Sequence, residues 1–218
     1  MYRYLLAFFA ITLVFVSCDS KDDSIPEEEE QVEENFYALT VGNIWNYEFF
    51  RRVQQTDEFE SINVFNAVEI TETTQINGEE YYVFTTTTTG NDNGHAPCND
   101  NGVSNEHFRD SLGYLINENG KIQFSQLNSE PYLIDNPKWA DIYGALIEGT
   151  TEITVEAGTF TTLENEIYAI NEDVPEFPGK DYRYYADGIG LVQADHSFVT
   201  NPDHFWENRL ISYEIVEE

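Results

Sequence analysis

The stretch from Ile62 to Thr89, INVFNAVEITETTQINGEEYYVFTTTTT, carries the strongest structural signal in the chain. In its first half apolar residues recur at every second position, which is the period of a strand with one buried face. Asn77-Gly78 then marks a two-residue turn, because both central positions of a type I′ hairpin need a positive φ. The return segment ends in five consecutive threonines, whose β-branched side chains suit a strand and resist a helix. The sequence predicts a β-hairpin here.

Similar short segments lie on both sides of this hairpin. They are separated by turn signals such as Asn119-Gly120, Ala157-Gly158 and Asp187-Gly188. About nine or ten strands with turns between neighbours predict an all-β fold built as a single antiparallel meander. The window from Pro137 to Leu146 has apolar residues at helical spacing and is the one candidate for a short helix.

The N-terminal residues have the composition of a secretion signal. Arg3 precedes an uncharged, almost wholly apolar run of 12 residues from Leu5 to Val16, which is too short for a membrane-spanning helix of roughly 20 residues. The run ends in Phe15-Val16-Ser17-Cys18 and acidic residues follow at once. This order resembles the lipobox of bacterial lipoproteins.

The lipobox resemblance implies that residues 1–17 are removed and that Cys18 becomes the new N-terminus. Its thiol would carry diacylglycerol and its amine a further acyl chain, which together anchor a protein firmly to a membrane. The alternatives are an ordinary signal peptide with an incidental cysteine, or a buried N-terminal strand.

Residues 18–35 are expected to form an acidic, disordered tether. Between Asp19 and Glu34 there are nine acidic residues and one basic residue, Lys21, a composition that repels itself and cannot build a core. Ser20-Lys21-Asp22-Asp23 resembles the signal that sends some lipoproteins to the outer cell surface, whereas an acid directly after the cysteine is associated with inner-membrane retention. We expect an outer-membrane protein facing the cell exterior, with a periplasm-facing orientation as the alternative.

Residues 36–218 are long enough for one domain with a substantial core. The whole chain has a formal charge of −31, and this region contains eight basic and 32 acidic residues, a formal charge of −24. Such a surface excludes nucleic acid, which is bound through clusters of Lys and Arg, and it excludes docking on an anionic lipid face. It tolerates cations such as Ca²⁺ and discourages self-association, so a monomer is expected.

Three stretches resemble a pattern found in a group of uncharacterised bacterial envelope lipoproteins. Phe36 to Tyr47 (FYALTVGNIWNY) contains the pattern's GNxWxY, Gly158-Thr159-Phe160 matches its GTF, and Tyr184 to Val192 (YYADGIGLV) matches its YYAxGxGLV. They fall in order along the domain. The resemblance implies a strongly curved, half-open antiparallel barrel, similar to the envelope carriers that hold lipids, and it brings no catalytic residues with it.

Aromatic side chains suggest a ligand-binding surface. They make up 15% of the chain, and tyrosines occupy both faces of two predicted strands. A curved sheet with an aromatic concave face could hold an apolar ligand or a sugar. The alternative is that loops bury both faces. The candidate ligand-binding residues are Tyr81, Tyr82, Tyr182, Tyr184 and Tyr185.

One loop contains two candidate metal sites. Asp92, Asn93, Asp100 and Asn101 could supply several of the six to eight oxygen ligands that calcium prefers, although such residues also occur in any polar loop.

The same loop carries His95, Cys98 and, further on, His107, which could bind zinc if the loop folded back. The alternative is an exposed loop with a free thiol. Acylation of Cys18 would leave Cys98 without a disulfide partner.

Two acid–histidine pairs, Asp195-His196 and Asp203-His204, are the nearest approach to catalytic residues. The sequence places no nucleophile beside them and contains no GxSxG, HExxH, P-loop or dinucleotide-binding motif. We therefore expect a non-enzymatic protein without a cofactor, which binds an apolar ligand, a glycan or a partner protein. The alternative is a structural component of an envelope complex with no small-molecule pocket, and a hydrolase is a distant third.

Overall fold

A computed structural model describes residues 35–127 and 129–216, and every helix or strand within these residues is a β-strand. The predicted signal peptide, Cys18 and nearly all of the predicted tether lie outside the described residues. The strands are β1 (Ile44–Arg52), β2 (Phe59–Ile76), β3 (Glu79–Thr89), β4 (Gly102–Ser111), β5 (Tyr114–Asn117), β6 (Ile122–Ser125), β7 (Tyr132–Asp135), β8 (Asp141–Leu146), β9 (Thr151–Val155), β10 (Gly158–Ile170), β11 (Asp181–Ala186), β12 (Gly190–Ser197) and β13 (His204–Glu214).

All of the strand pairs are antiparallel, and twelve strands follow one another around a sheet that is nearly closed as a barrel. The order is β6-β5-β4-β3-β2-β1-β13-β12-β11-β10-β8-β7, with β9 paired to β10 beside this path. The predicted all-β, strongly curved antiparallel sheet is confirmed. It consists of two meanders that meet where β1 pairs with β13.

Three strands were not predicted: β4, β7 and β8. β4 is polar and largely exposed, and β7 has only four residues, so neither shows a clear alternation. The helix considered for Pro137 to Leu146 is wrong, because Asp141–Leu146 is β8 and pairs with β10 over six residues. Pairing in the folded sheet thus overrides the helical spacing of the apolar residues.

The hairpin of β2 and β3 forms as predicted. Asn77 and Gly78 have φ values of 55° and 88°, the left-handed conformation that a type I′ turn requires. Val64, Asn66 and Val68 lie on the inward face of β2. Between Ile70 and Glu72 the register of the pairing with β3 shifts by one residue.

The core consists of two clusters at successive positions along β1. The larger cluster contains Trp45 and Tyr47 together with the buried segment Phe36–Leu39 that precedes β1, and the smaller contains Phe49. The indole of Trp45 donates a hydrogen bond to the Ile189 carbonyl at 2.6 Å. Trp45 thereby contributes apolar burial while its indole N–H keeps a partner.

Side chains close the seam where the edge strand β6 approaches β7 and β8, and one of them comes from the neighbouring β10. The carboxamide of Asn165 on β10 accepts a hydrogen bond from the Ser125 N–H at 3.3 Å and donates one to the Ser125 carbonyl at 3.1 Å. The Tyr132 hydroxyl also donates to Asn165. A fully buried side chain therefore substitutes for the backbone ladder at this edge.

We predict that Asn165→Ala destabilises the protein by about 2–4 kcal/mol, because it removes two buried hydrogen bonds to the Ser125 backbone and leaves a cavity at a fully buried site. The free energy of unfolding, measured by chemical denaturation, tests this. The matched control is Asn46→Ala, which removes only an exposed hydrogen bond to Ser212 and should change stability by less than about 0.5 kcal/mol. Equal losses in the two variants would contradict the role of Asn165 in the seam.

Candidate ligand-binding cavity

The curved sheet encloses a cavity of about 300 Å³, which is lined by residues of both core clusters. Its volume falls at the small end of the range found for ligand pockets, roughly 300–1,000 Å³. The concave face is therefore partly open. The aromatic residues that line the cavity are Tyr37, Trp45, Tyr47, Phe49, Phe84, Phe108 and Tyr185.

One row of inward-facing residues crosses four strands of the cavity wall. Phe49 on β1 is paired with Asn208 on β13, Asn208 with Ala194 on β12, and Ala194 with Arg183 on β11. All four line the cavity. Directly opposite residues in antiparallel strands share a face, so the register of the sheet puts a ring, an amide, a methyl group and a guanidinium side by side.

The wall contains two unsatisfied carboxamides. Asn66 and Asn208 both line the cavity, and the Oδ1 atom of each is buried without a hydrogen-bond partner among the residues that the structure describes. A buried acceptor left unpaired costs about 1–3 kcal/mol. A ligand that donates hydrogen bonds to these side chains would recover this cost.

A polar group of residues lies beside the aromatic rings. The Nη1 atom of Arg183 donates a hydrogen bond to the Gln123 carbonyl at 2.6 Å and a longer one to its Oε1 at 3.4 Å. Glu106 also lines the cavity but is exposed. Burial raises the pKa of the Tyr185 phenol, and the charge of Arg183 partly offsets this rise.

The loop between β3 and β4 covers part of the cavity. The buried carboxamide of Asn91 accepts a hydrogen bond from the Ala96 N–H at 3.1 Å and donates to the carbonyls of Cys98 and Asn99. Ala96 packs with the Phe49 cluster, and the neighbouring Pro97 and Cys98 line the cavity. Burial raises the pKa of the Cys98 thiol.

Two further contacts fix this loop against the wall. The indole of Trp206 donates a hydrogen bond to the His95 carbonyl at 2.9 Å. Gly90 begins the loop with a φ of +85°, and a Cβ there would lie 2.0 Å from the Asn63 carbonyl oxygen, so only glycine fits.

Two of the four predicted calcium ligands, Asp92 and Asn101, form hydrogen bonds within the loop. Asn101 donates a hydrogen bond to the carboxylate of Asp92 at 2.7 Å, and its own Oδ1 accepts one from the Asn91 N–H. Asn93 and Asp100 are exposed.

Among the described residues, one group of His, Cys, Asp and Glu has ligand atoms close enough to hold a metal, and it lies elsewhere, at Asp195, His204 and Glu207. The loop's possible zinc ligands His95, Cys98 and His107 are not part of it.

The five predicted tyrosines do not share one surface. Tyr185 lines the cavity, and Tyr82 packs against the larger core cluster. The ring of Tyr81 is buried, with the Arg109 guanidinium 5.5 Å from its centroid. Tyr182 and Tyr184 stack on each other at 6.5 Å on the opposite face from Arg183, since side chains alternate along a strand.

The two predicted acid–histidine pairs do not form. His196 lines the cavity with its Nδ1 3.5 Å from the carboxylate of Asp181. Asp195 points to the other face, where it accepts hydrogen bonds from Gln193 at 2.7 Å and from Tyr184 at 3.3 Å. His204 contacts Glu207, and Asp203 is exposed.

Asp195, His204 and Glu207 form a charge-balanced cluster on this outer face. Burial raises the pKa of Asp195 to about 6. The hydrogen bond to Glu207 raises the pKa of His204. Burial alone would raise the pKa of Glu207, but hydrogen bonds from His204 and Arg209 outweigh it and hold the pKa below its usual value. Two acids, Asp195 and Glu207, thus face two bases, His204 and Arg209.

Sequence reasoning missed Asn66, Asn208 and Arg183 as cavity residues. For Asn66 a signal existed, because it is a polar residue in the apolar register of Val64 and Val68. No comparable signal marks the other two.

Comparisons with known proteins bear on the fold. No family model matches the chain, and no curated protein matches it. A candidate lipoprotein of Parabacteroides distasonis has a similar solved structure, with a TM-score of 0.51 and 12% identity over 83% of this chain and 99% of that chain. A candidate exported protein of Bacteroides fragilis, described as having a YmcC-like fold, gives a TM-score of 0.52 and 10% identity with the same coverage. At these identities the likeness concerns the fold alone. No helix in the described residues is long and apolar enough to span a membrane.

We predict that the outer-face cluster makes stability fall as the pH rises from 5 to 8. The pKa of Asp195 is raised from 3.8 to about 6, so its contribution is complete below pH 3.8 and is lost as the pH passes 6. The raised pKa of His204 acts in the same direction above pH 6.5. The lowered pKa of Glu207 acts oppositely and removes stability below pH 4.5.

Asp195→Asn should remove roughly 1 kcal/mol of this fall between pH 5 and 8, as measured by denaturant unfolding at each pH. Asp203→Asn is the matched control, since it removes the same formal charge from an exposed site. A slope unchanged in Asp195→Asn would contradict the assignment.

Proposed function

We propose that this chain is a lipid-anchored protein of the bacterial cell envelope, which binds a small and largely apolar molecule inside its half-closed barrel. The observation that carries the binding role is the combination of an aromatic cavity with two buried, unpaired amide oxygens, on Asn66 and Asn208. Ligand sites typically join an apolar lining to a few polar groups that fix orientation.

The envelope location rests on two independent supports. One is the order of apolar run, small residue, cysteine and acidic tether around Cys18. The other is the fold, which this chain shares with one protein described as a candidate lipoprotein and another described as a candidate exported protein. Anchoring in the outer membrane with the barrel facing the cell exterior is part of the proposal.

We propose that binding is not followed by catalysis. Cys98 and His196 line the same cavity, and His196 lies beside Asp181, which is the nearest approach to a catalytic set. A nucleophilic cysteine needs a lowered pKa, whereas burial raises the pKa of Cys98. Its sulfur accepts a hydrogen bond from Asn91 at 3.4 Å.

A second candidate function is that of a structural component of an envelope complex. Phe198 is 50% exposed and packs against Phe205 and Trp206 at 5.3 and 5.0 Å, which gives a partner protein an aromatic patch to contact. Crosslinking in intact cells, with a photoreactive residue in place of Phe198, should then trap one defined neighbour.

The binding role is tested by filling the cavity. Native mass spectrometry of the lipidated protein, released from its own envelope, should show a small co-purifying molecule. In Ala194→Leu, whose larger side chain enters the cavity wall, at least about nine-tenths of this molecule should be lost, since overpacking removes the space that the ligand needs. Ala67→Leu, on the exposed face of β2, is the matched control and should retain it.

A wild-type mass that equals the polypeptide plus its acyl chains alone would contradict the binding role. Retention of the ligand by Ala194→Leu would contradict its placement in this cavity.

A further inference from the structure

We infer that the molecule held in this cavity is an amphipathic organic anion, whose carboxylate pairs with the guanidinium of Arg183 while its apolar body lies among the aromatic rings. This inference rests on the proposed binding function and names the class of ligand.

Within residues 35–127 and 129–216, Arg183 has no acidic partner at ion-pair distance. Among the described residues there are five arginines, and each of the other four has a carboxylate within 4.0 Å. The hydrogen bonds of the Arg183 guanidinium go only to Gln123, which is neutral. The partners of the other four are Glu60 for Arg51, Asp57 for Arg52, Glu79 for Arg109, and Glu207 for Arg209.

A shortage of acids does not explain this exception. Residues 36–218 contain 32 acidic residues against eight basic ones, so a base without a counter-charge is the unusual case. Lys138 also lacks an ion pair among the described residues, but it is exposed and solvated. Arg183 is half-buried in the wall of a cavity, where a charge loses water and gains most from a partner.

The geometry of the guanidinium suits a carboxylate. A guanidinium offers five N–H donors in a planar fork, and two parallel bonds to a carboxylate are its strongest pairing. Nη1 is engaged with Gln123, and the remaining donors have no partner in the described residues. An acid that enters the cavity would therefore meet an arginine that is already held in place.

A cationic ligand is the competing possibility, because Glu106 also lines the cavity. The Glu106 residue is exposed, but burial raises the pKa of its carboxyl group, which weakens the charged form that would bind a cation. The guanidinium of Arg183 is more than 4.0 Å from this carboxyl group and only partly offsets the rise, and it keeps its own charge. Glu106 thus repels an incoming anion moderately, and its removal should favour anion binding.

The size and lining of the cavity define the rest of the ligand. A volume of about 300 Å³ lies at the small end of the range for ligand pockets, which suits the body of a medium-chain or aryl-substituted carboxylic acid. The rings of Trp45, Phe84 and Phe108 would contact its body. A hydroxyl group on the body could donate to Asn66 or Asn208, whose oxygens lack partners.

The test compares three probes with the same body and different head groups: 4-phenylbutyrate, 4-phenylbutanol and 4-phenylbutylamine. The lipidated full-length protein is reconstituted in lipid nanodiscs, and binding is measured as protection of Cys98, which lines the cavity, from N-ethylmaleimide. Modification is quantified on the peptide that contains Cys98. Wild-type protein should bind the acid about ten- to a hundredfold more tightly than the alcohol, as a charge-assisted hydrogen bond predicts, and the amine most weakly.

Three variants assign this preference to Arg183. Arg183→Gln should abolish the advantage of the acid and leave the affinity for the alcohol within a factor of about three. Glu106→Gln should tighten binding of the acid severalfold without changing that of the alcohol. The matched control is Arg51→Gln, which removes an arginine outside the cavity and should leave both affinities unchanged.

Each outcome separates the two proposals. If the alcohol or the amine protects Cys98 as well as the acid, the anionic ligand is wrong and the binding role stands. If none of the probes protects Cys98, both proposals fail. If Arg183→Gln does not fold, Glu106→Gln still decides, because unchanged binding of the acid in that variant would overturn the inference.

Discussion

The closure of the barrel depends on side chains that reach across its seam. Strand β6 ends the meander formed by β1 to β6. Two side chains of the other meander, Asn165 on β10 and Arg183 on β11, form hydrogen bonds with backbone groups of β6, at Ser125 and Gln123. An open antiparallel sheet would leave this edge and the inward aromatic face in water. Closing the seam with two side chains keeps the sheet curved around its core. The hydrogen bond to Gln123 also fixes Arg183 in the cavity wall, so one residue both closes the barrel and lines the cavity.

The cavity follows from the residues that occupy the inward row. Large rings fill the interior near Phe36–Leu39, and the loop that contains Ala96 packs on Phe49. Between these two regions the row places Asn208 and Ala194, whose side chains are too short to meet across the barrel. Close packing is the rule in protein cores, so the space beside these two short side chains is the feature on which the proposed binding role rests.

Local sequence signals were sufficient for most of the fold and for little of the site. The turn at Asn77-Gly78 and the alternation around Trp45 depend on neighbours in the chain, and both formed as expected. Strand β8 depends on pairing with β10, which no local pattern reveals. The predicted tyrosines were chosen by type, but the alternation of side chains sends Tyr184 outward and Tyr185 inward. The lack of an acidic partner for Arg183, in the part of the chain that the structure describes, is a property of the assembled barrel, so the sequence alone could not reveal it.

The strong negative charge of the chain is compatible with the proposed anionic ligand, because few of the charges act inside the cavity. At physiological ionic strength, charges separated by more than about 8 Å are largely screened, so most surface carboxylates add little inside the cavity. The groups that act there are Arg183 and, at the exposed side, Glu106. A small inorganic anion would gain one contact with Arg183 and meet repulsion on its way in. An amphipathic acid gains the same contact and adds the burial of its apolar body against the rings, at roughly 25 cal/mol per Å² of apolar surface. Burial of the apolar body would therefore make the proposed site favour an amphipathic acid over a small inorganic anion.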